Sequence, residues 1–230
     1  MSAALLNCIS SFVLFQCYLA HSSHFSDSNC VGEPLDAVYS WFKWEPEEKW
    51  NAPDTYRGVE ESLAFLKQQF VEYGPFDGVL GFSQEGIVTS VLAGMRVPRE
   101  QSLACNVSAE NPISFDFAIF AATFAPPLPE YFYYTMASNK CAPLATLHVY
   151  GSADPLVPAD MSKNLAAEFE TQAKTPPTQN DESPATNTKK IHKTTVMHLE
   201  HPGGHFVATN AASKAVYKTF IEAYLADFPK

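Results

Sequence analysis

Phe76-Asp77-Gly78-Val79-Leu80-Gly81-Phe82-Ser83-Gln84-Glu85-Gly86 opens as a short apolar run and turns at Gly-x-Ser. It then passes at once into Ile87, Val88, Val91 and Leu92, which recur at helical spacing. Strand, sharp turn and helix in that order make a nucleophile elbow. The arrangement matters because an ordinary serine hydroxyl is a poor nucleophile. On a tight turn at the sheet edge, Ser83 stands open to a histidine base and at the positive end of a helix. Gly81 leaves room for the strained backbone. The pattern departs from G-x-S-x-G at its fifth place, where Glu85 stands and the glycine follows one residue later.

Gly-x-Ser alone recurs by chance, so its partners have to be found. When the serine comes first, the chain order of a triad on an open α/β sheet is serine, acid, histidine. Thr146-Leu147-His148-Val149-Tyr150 reads as a buried strand, and Gly151-Ser152-Ala153-Asp154-Pro155 turns directly after it. Thr194 to Leu199 is another strand-like run, leading into Glu200-His201-Pro202-Gly203-Gly204-His205-Phe206. Three loops at the carboxyl ends of three strands meet in one crevice in such a sheet. The expected assignment is Ser83 as nucleophile, His205 as base and Asp154 as the acid that orients the imidazole. The backbone N–H of Gln84 is the expected oxyanion donor. Phe82, beside the nucleophile, and Phe124, which opens the aromatic stretch to Tyr134, are the candidate substrate contacts; that stretch reads equally as a rigid loop packed on the sheet.

Each residue also has a plainer reading. Asp160 suits a helix N-cap. His201 ends a strand and suits a structural role, whereas His205 follows two glycines that free its loop. His148 and His198 fall inside strands and read as core or pairing residues. A metal site built on His201, His205 and Asp154 is disfavoured, since Pro202 and two glycines forbid the helix that an H-x-x-x-H pair needs.

Tyr56-Arg57-Gly58-Val59-Glu60-Glu61-Ser62-Leu63, then Tyr73 to Gln84, Gly151 to Pro158 and His201 to Phe206 together resemble the fungal-type serine hydrolases, a family that takes in the ovarian tumour suppressor candidate 2-like hydrolases. The resemblance spans about residues 30–225. It implies an α/β-hydrolase fold, esterase or thioesterase activity on acyl chains, and the same three residues as triad. Two departures stand out. Glu85 replaces a small residue, and is expected to turn out to solvent with Gly86 relieving the backbone. The family opens with a strand and a Leu-His-Gly loop that carries the second oxyanion donor, and no such loop occurs here. Phe12 to Leu19 then reads as the strand that normally comes second. The expected architecture is a mostly parallel sheet with helices on both faces, truncated at its amino end. The alternative to an enzyme is a catalytically silent hydrolase-fold binding protein.

Apolar residues make up 46% of the 230, enough for one packed α/β domain. A net charge of −10 argues against nucleic acid or an anionic membrane as partner. The expected partner is a small acyl ester or thioester, and triad chemistry calls for no cofactor or metal. The five cysteines are scattered, odd in number and without a C-x-x-C pair, as suits reduced thiols in the cytoplasm. Leu5 to Ala20 resembles a signal h-region, but no Lys or Arg precedes Lys43, so a buried strand or a disordered remnant is the expectation over a signal peptide. Residues 1–29 are atypical for the fold. Residues 171–190 are polar and proline-containing, and read as a flexible insertion.

Apolar periodicity places helices over 58–72, 84–93, 160–169 and 213–225. Strands are expected over 76–82, 114–121, 146–150 and 194–199.

Overall fold

The computed structural model describes residues 12–15, 40–44, 56–97, 111–126, 144–174 and 195–227. In chain order the elements are β1 (Phe12–Phe15), β2 (Lys43–Trp44), β3 (Tyr56–Arg57), α1 (Val59–Tyr73), β4 (Gly78–Phe82), α2 (Gln84–Met95), β5 (Phe117–Ala121), β6 (Ala145–Gly151), α3 (Ala159–Lys174), β7 (Val196–His201) and α4 (Ala211–Asp227). Five strands form one parallel sheet in the order β1-β4-β5-β6-β7, and β2 and β3 pair as a small antiparallel ribbon.

The central strands are apolar on both faces, as strands covered twice must be. On β5, Ala118 and Phe120 face one cluster while Phe117, Ile119 and Ala121 face another. The first cluster takes Leu63, Leu66 and Phe70 of α1, Val88, Val91 and Leu92 of α2, and Leu165 and Phe169 of α3. The second takes Tyr217, Phe220, Ile221 and Tyr224 of α4. Helices therefore cover both faces, as expected.

Several expectations need correction at their edges. Thr171–Lys174 form the last turn of α3, so the polar stretch expected to be an insertion is helical at its start; 175–190 lie outside the described residues. Asp160 lies within the first turn of α3 rather than at its cap. Of the strand expected over Phe12 to Leu19, Phe12–Phe15 is a strand that pairs with β4 in register Phe15↔Gly81, and 16–19 lie outside the described residues. Trp41 is buried among Leu63, Leu66 and Ile87, which makes it core. All five cysteines lie outside the described residues.

His148 is core, stacked on Phe120 at 5.0 Å and close to Phe169 at 5.6 Å. Burial, with a smaller push from His198, lowers its pKa to about 3. Below pH 6.5 the unfolded chain therefore takes up a proton that the folded chain refuses, and stability falls as pH drops toward 3. His148→Phe keeps the ring stack and is expected to flatten this acid limb by up to ~1.4 kcal/mol per pH unit. Urea unfolding at a series of pH values reads the slope; equal slopes in both proteins would count against the assignment.

Candidate active site

β4 ends at Phe82, and Ser83 turns the chain into α2 with φ 55° and ψ −121°. A non-glycine residue held at positive φ is strained, and such strain persists only where the surroundings enforce it. Here they do. The Ser83 N–H donates to the Ala121 carbonyl at 2.9 Å, continuing the β4–β5 ladder. The Ser83 carbonyl accepts from Gly86 N–H at 3.0 Å and from the Thr123 hydroxyl at 2.8 Å.

The glycines around the turn serve close approach. A Cβ on Gly81 would lie 2.4 Å from Thr89 Oγ1 and 2.5 Å from the Glu85 carbonyl oxygen. A Cβ on Gly86 would lie 2.5 Å from Thr123 Cβ. The contact that demands glycine therefore falls at residue 86, and residue 85 is free to be large. Glu85 does not turn outward, contrary to expectation. It is buried at 7% exposure, and its carboxylate reaches back to accept from Phe82 N–H at 3.4 Å. A carboxylate in the first turn of a helix is electrostatically favoured there.

Asp154 follows β6. Its Oδ1 accepts from Leu156 N–H at 2.8 Å and Val157 N–H at 2.9 Å, leaving Oδ2 for His205 Nδ1 at 2.7 Å. Burial is the largest influence on this carboxyl and favours the neutral acid. The hydrogen bonds from Val157, His205 and Leu156 together outweigh it and hold the pKa below its usual value. Asp154 is thus an anion at neutral pH. Its side chain is 0% exposed, and that of His205 15%.

His205 follows β7. Its Nε2 lies 3.0 Å from Ser83 Oγ. The ring packs against Phe82 at 4.9 Å, so Phe82 buttresses the imidazole. The acid and base loops are tied together through backbone: Ser152 N–H donates to the His201 carbonyl at 2.8 Å and Ala153 N–H to the Gly203 carbonyl at 3.1 Å. A Cβ on Gly151 would fall 2.3 Å from the Gly203 oxygen, so only glycine lets these loops touch. A Cβ on Gly203 would lie 2.2 Å from the far edge of the Phe206 ring, an exposed side chain that can swing aside, so this contact does not demand glycine. Among the described glycines only Gly58 has a positive φ, so Gly203 and Gly204 do not act by left-handed backbone freedom.

The competing histidines lie elsewhere. His201 is buried, accepts Gly203 N–H at Nδ1 and packs at a tilt against Phe206, with ring centroids 4.8 Å apart. His198 sits on β7 beside Glu170 at 3.1 Å. Phe124, expected as a substrate contact, is half-buried and packs against the cluster that holds Trp41 and Phe42. Residues 127–134 of the aromatic stretch lie outside the described residues.

One partnership had no sequence signal. The Gln84 side chain accepts from Trp41 N–H at 2.8 Å and donates to the Phe42 carbonyl at 3.0 Å. Nothing local links residues 42 apart, and the linear reading gives Gln84 a role for its backbone N–H and none for its side chain.

Among the described residues, no helix is long and apolar enough to cross a membrane. Comparison with solved structures supports the fold. Acyl-protein thioesterase 2 of Zea mays superposes with TM-score 0.52 at 15% identity, covering 82% of this chain and 74% of that one. Esterase PE8 gives TM-score 0.51 at 16% identity, covering 84% and 73%. In sequence, esterase OVCA2 of Danio rerio is 28% identical over 189 residues, which is 80% of this chain and 67% of that protein. A Schizosaccharomyces pombe protein named dihydrofolate reductase is 30% identical over 198 residues, 86% of this chain but 34% of that protein. The chain spans about a third to two thirds of the length of the curated relatives it matches. The family model for serine hydrolase FSH1 matches residues 16–181, most of this chain, and the chain belongs to that α/β-hydrolase family.

Proposed function

We propose that the protein is a serine hydrolase that cleaves acyl esters or thioesters through an acyl-enzyme on Ser83. The observation that carries this reading is the unbroken line from Asp154 Oδ2 to His205 Nδ1 and from His205 Nε2 to Ser83 Oγ, at 2.7 and 3.0 Å. The Asp154 anion holds the proton on Nδ1, which leaves Nε2 as the basic nitrogen. His205 takes the Ser83 proton as Oγ attacks the acyl carbon, then delivers it to the leaving oxygen or sulfur. Water repeats the sequence and frees the acid. Negative charge that builds on the acyl oxygen meets the N–H of Gln84 at the start of α2. Family membership and the esterase relatives favour an ester substrate over a silent binding role.

A fluorophosphonate probe tests this reading. It is expected to form one covalent adduct per chain, and mass mapping is expected to place that adduct on Ser83. Absence of the adduct, or its placement on another serine, would overturn the assignment.

A further inference from the structure

The Ser83–Gln84 peptide carries two functions on one plane. On the proposed reading its N–H is the oxyanion donor, and in a trans peptide the C=O points the opposite way. Whatever fixes the carbonyl therefore aims the N–H. Ser83 lies outside the favoured torsional wells, so its own preferences do not hold this plane in place.

We propose that Thr123 and the side chain of Gln84 are positioning residues that hold this peptide as an oxyanion-binding unit, an inference that rests on Ser83 being the nucleophile. Thr123 acts on the carbonyl end. Its hydroxyl donates to the Ser83 oxygen at 2.8 Å, and the residue is 1% exposed. Gly86 has no Cβ to keep Thr123 away. Thr123 is itself held by Ser162, whose hydroxyl donates to the Thr123 carbonyl at 2.6 Å. Gln84 acts on the other end. Both polar atoms of its side chain are engaged by the backbone of Trp41 and Phe42. That backbone is in turn pinned by the Ser62 hydroxyl on the Trp41 carbonyl and by burial of both aromatic rings. Two neutral side chains thus add to the Gly86 and Ile87 N–H groups, at 3.0 and 3.4 Å from the Ser83 carbonyl, and restrain the plane from both sides. Preorganisation of this kind matters because a donor must already be aimed when charge appears.

Thr123→Val removes the hydroxyl at constant shape, and Thr123→Ser restores it. With p-nitrophenyl acetate, and rates normalised to sites titrated by the fluorophosphonate, Thr123→Val is expected to lose about 10- to 100-fold in kcat. That is below the loss from deleting an oxyanion donor outright. KM should move less than about twofold. The inhibition constant of a trifluoromethyl ketone, whose adduct places an oxyanion in the same hole, should rise by the same factor as kcat falls. Thr123→Ser should return both to within about twofold of wild type. Gln84→Met, which keeps length but neither hydrogen bond, should show the same split, and stands alone if Thr123→Val does not fold. A merely structural role would lower thermal stability and leave kcat per titrated site unchanged, and that outcome overturns the proposal. So does a loss that Thr123→Ser fails to restore. A wild-type chain without Ser83 labelling removes the parent reading and this one with it; normal labelling with unaffected variants removes this one alone.

Discussion

Ser83→Ala is expected to lower kcat/KM for p-nitrophenyl butyrate by about 10⁶-fold, the scale on which a nucleophile acts when the triad works as a unit. The argument starts from geometry. His205 Nε2 has the Ser83 hydroxyl at 3.0 Å, and the proton it is placed to accept is the one on that oxygen. Without the hydroxyl there is nothing to deprotonate and no atom to hold the acyl group. His205→Ala should cost a similar factor, because the remaining hydroxyl has no base. The double variant should then be no worse than either single variant within about tenfold, since the second deletion removes a group that has already lost its task. Additive losses would mean that the two residues serve separate steps, and would sink the triad reading. Folding should survive. Ser83 is only partly buried, and alanine leaves in place the bonds that its backbone makes with the Ala121 carbonyl and the Thr123 hydroxyl. Far-UV circular dichroism and an unchanged melting temperature check that activity is lost without structure.

That Ser83, Asp154 and His205 come together was legible in the sequence because each residue stands out locally. Ser83 lies where an apolar strand meets a helical repeat, Asp154 just after a buried strand, and His205 in a glycine-rich loop. Parallel topology then brings the ends of β4, β6 and β7 to one rim without any further signal. The helices were legible from periodicity, with α1 matching its expected span to within a residue. What escaped was long-range and polar. The two-residue strands Lys43–Trp44 and Tyr56–Arg57 are too short for any alternation to register. The burial of Glu85 could not be read because it depends on the Phe82 N–H pointing back at it across the turn. The glycine-rich loop reads as flexible in the sequence, whereas neither of its glycines has a positive φ and the glycine that contact demands is Gly151, which meets the loop's backbone from the other side. The Gln84 clamp on Trp41 and Phe42 joins residues that no local rule connects.

Asp154→Asn should separate orientation from scaffold. An asparagine carbonyl oxygen can keep the bonds from Leu156 and Val157 N–H that shape the loop. The amide nitrogen then faces His205 Nδ1, where the carboxylate had accepted a hydrogen bond at 2.7 Å. An amide N–H donates, so Nδ1 must become the acceptor and the ring proton moves to Nε2. That nitrogen can no longer take the Ser83 proton. The expected fall in kcat/KM is about 10⁴-fold, with the loop and its backbone ties to β7 intact. Stability carries a second signature of the same carboxylate. Its pKa is lower in the folded chain than in the unfolded one, so Asp154 adds stability above the unfolded carboxyl range that is lost as pH falls through the folded value. Asp154→Asn should therefore be somewhat less stable than wild type at pH 7 and closer to it near pH 3. A variant that keeps more than about a tenth of wild-type turnover would mean that His205 finds its tautomer without the acid, and the role given to Asp154 would have to be withdrawn.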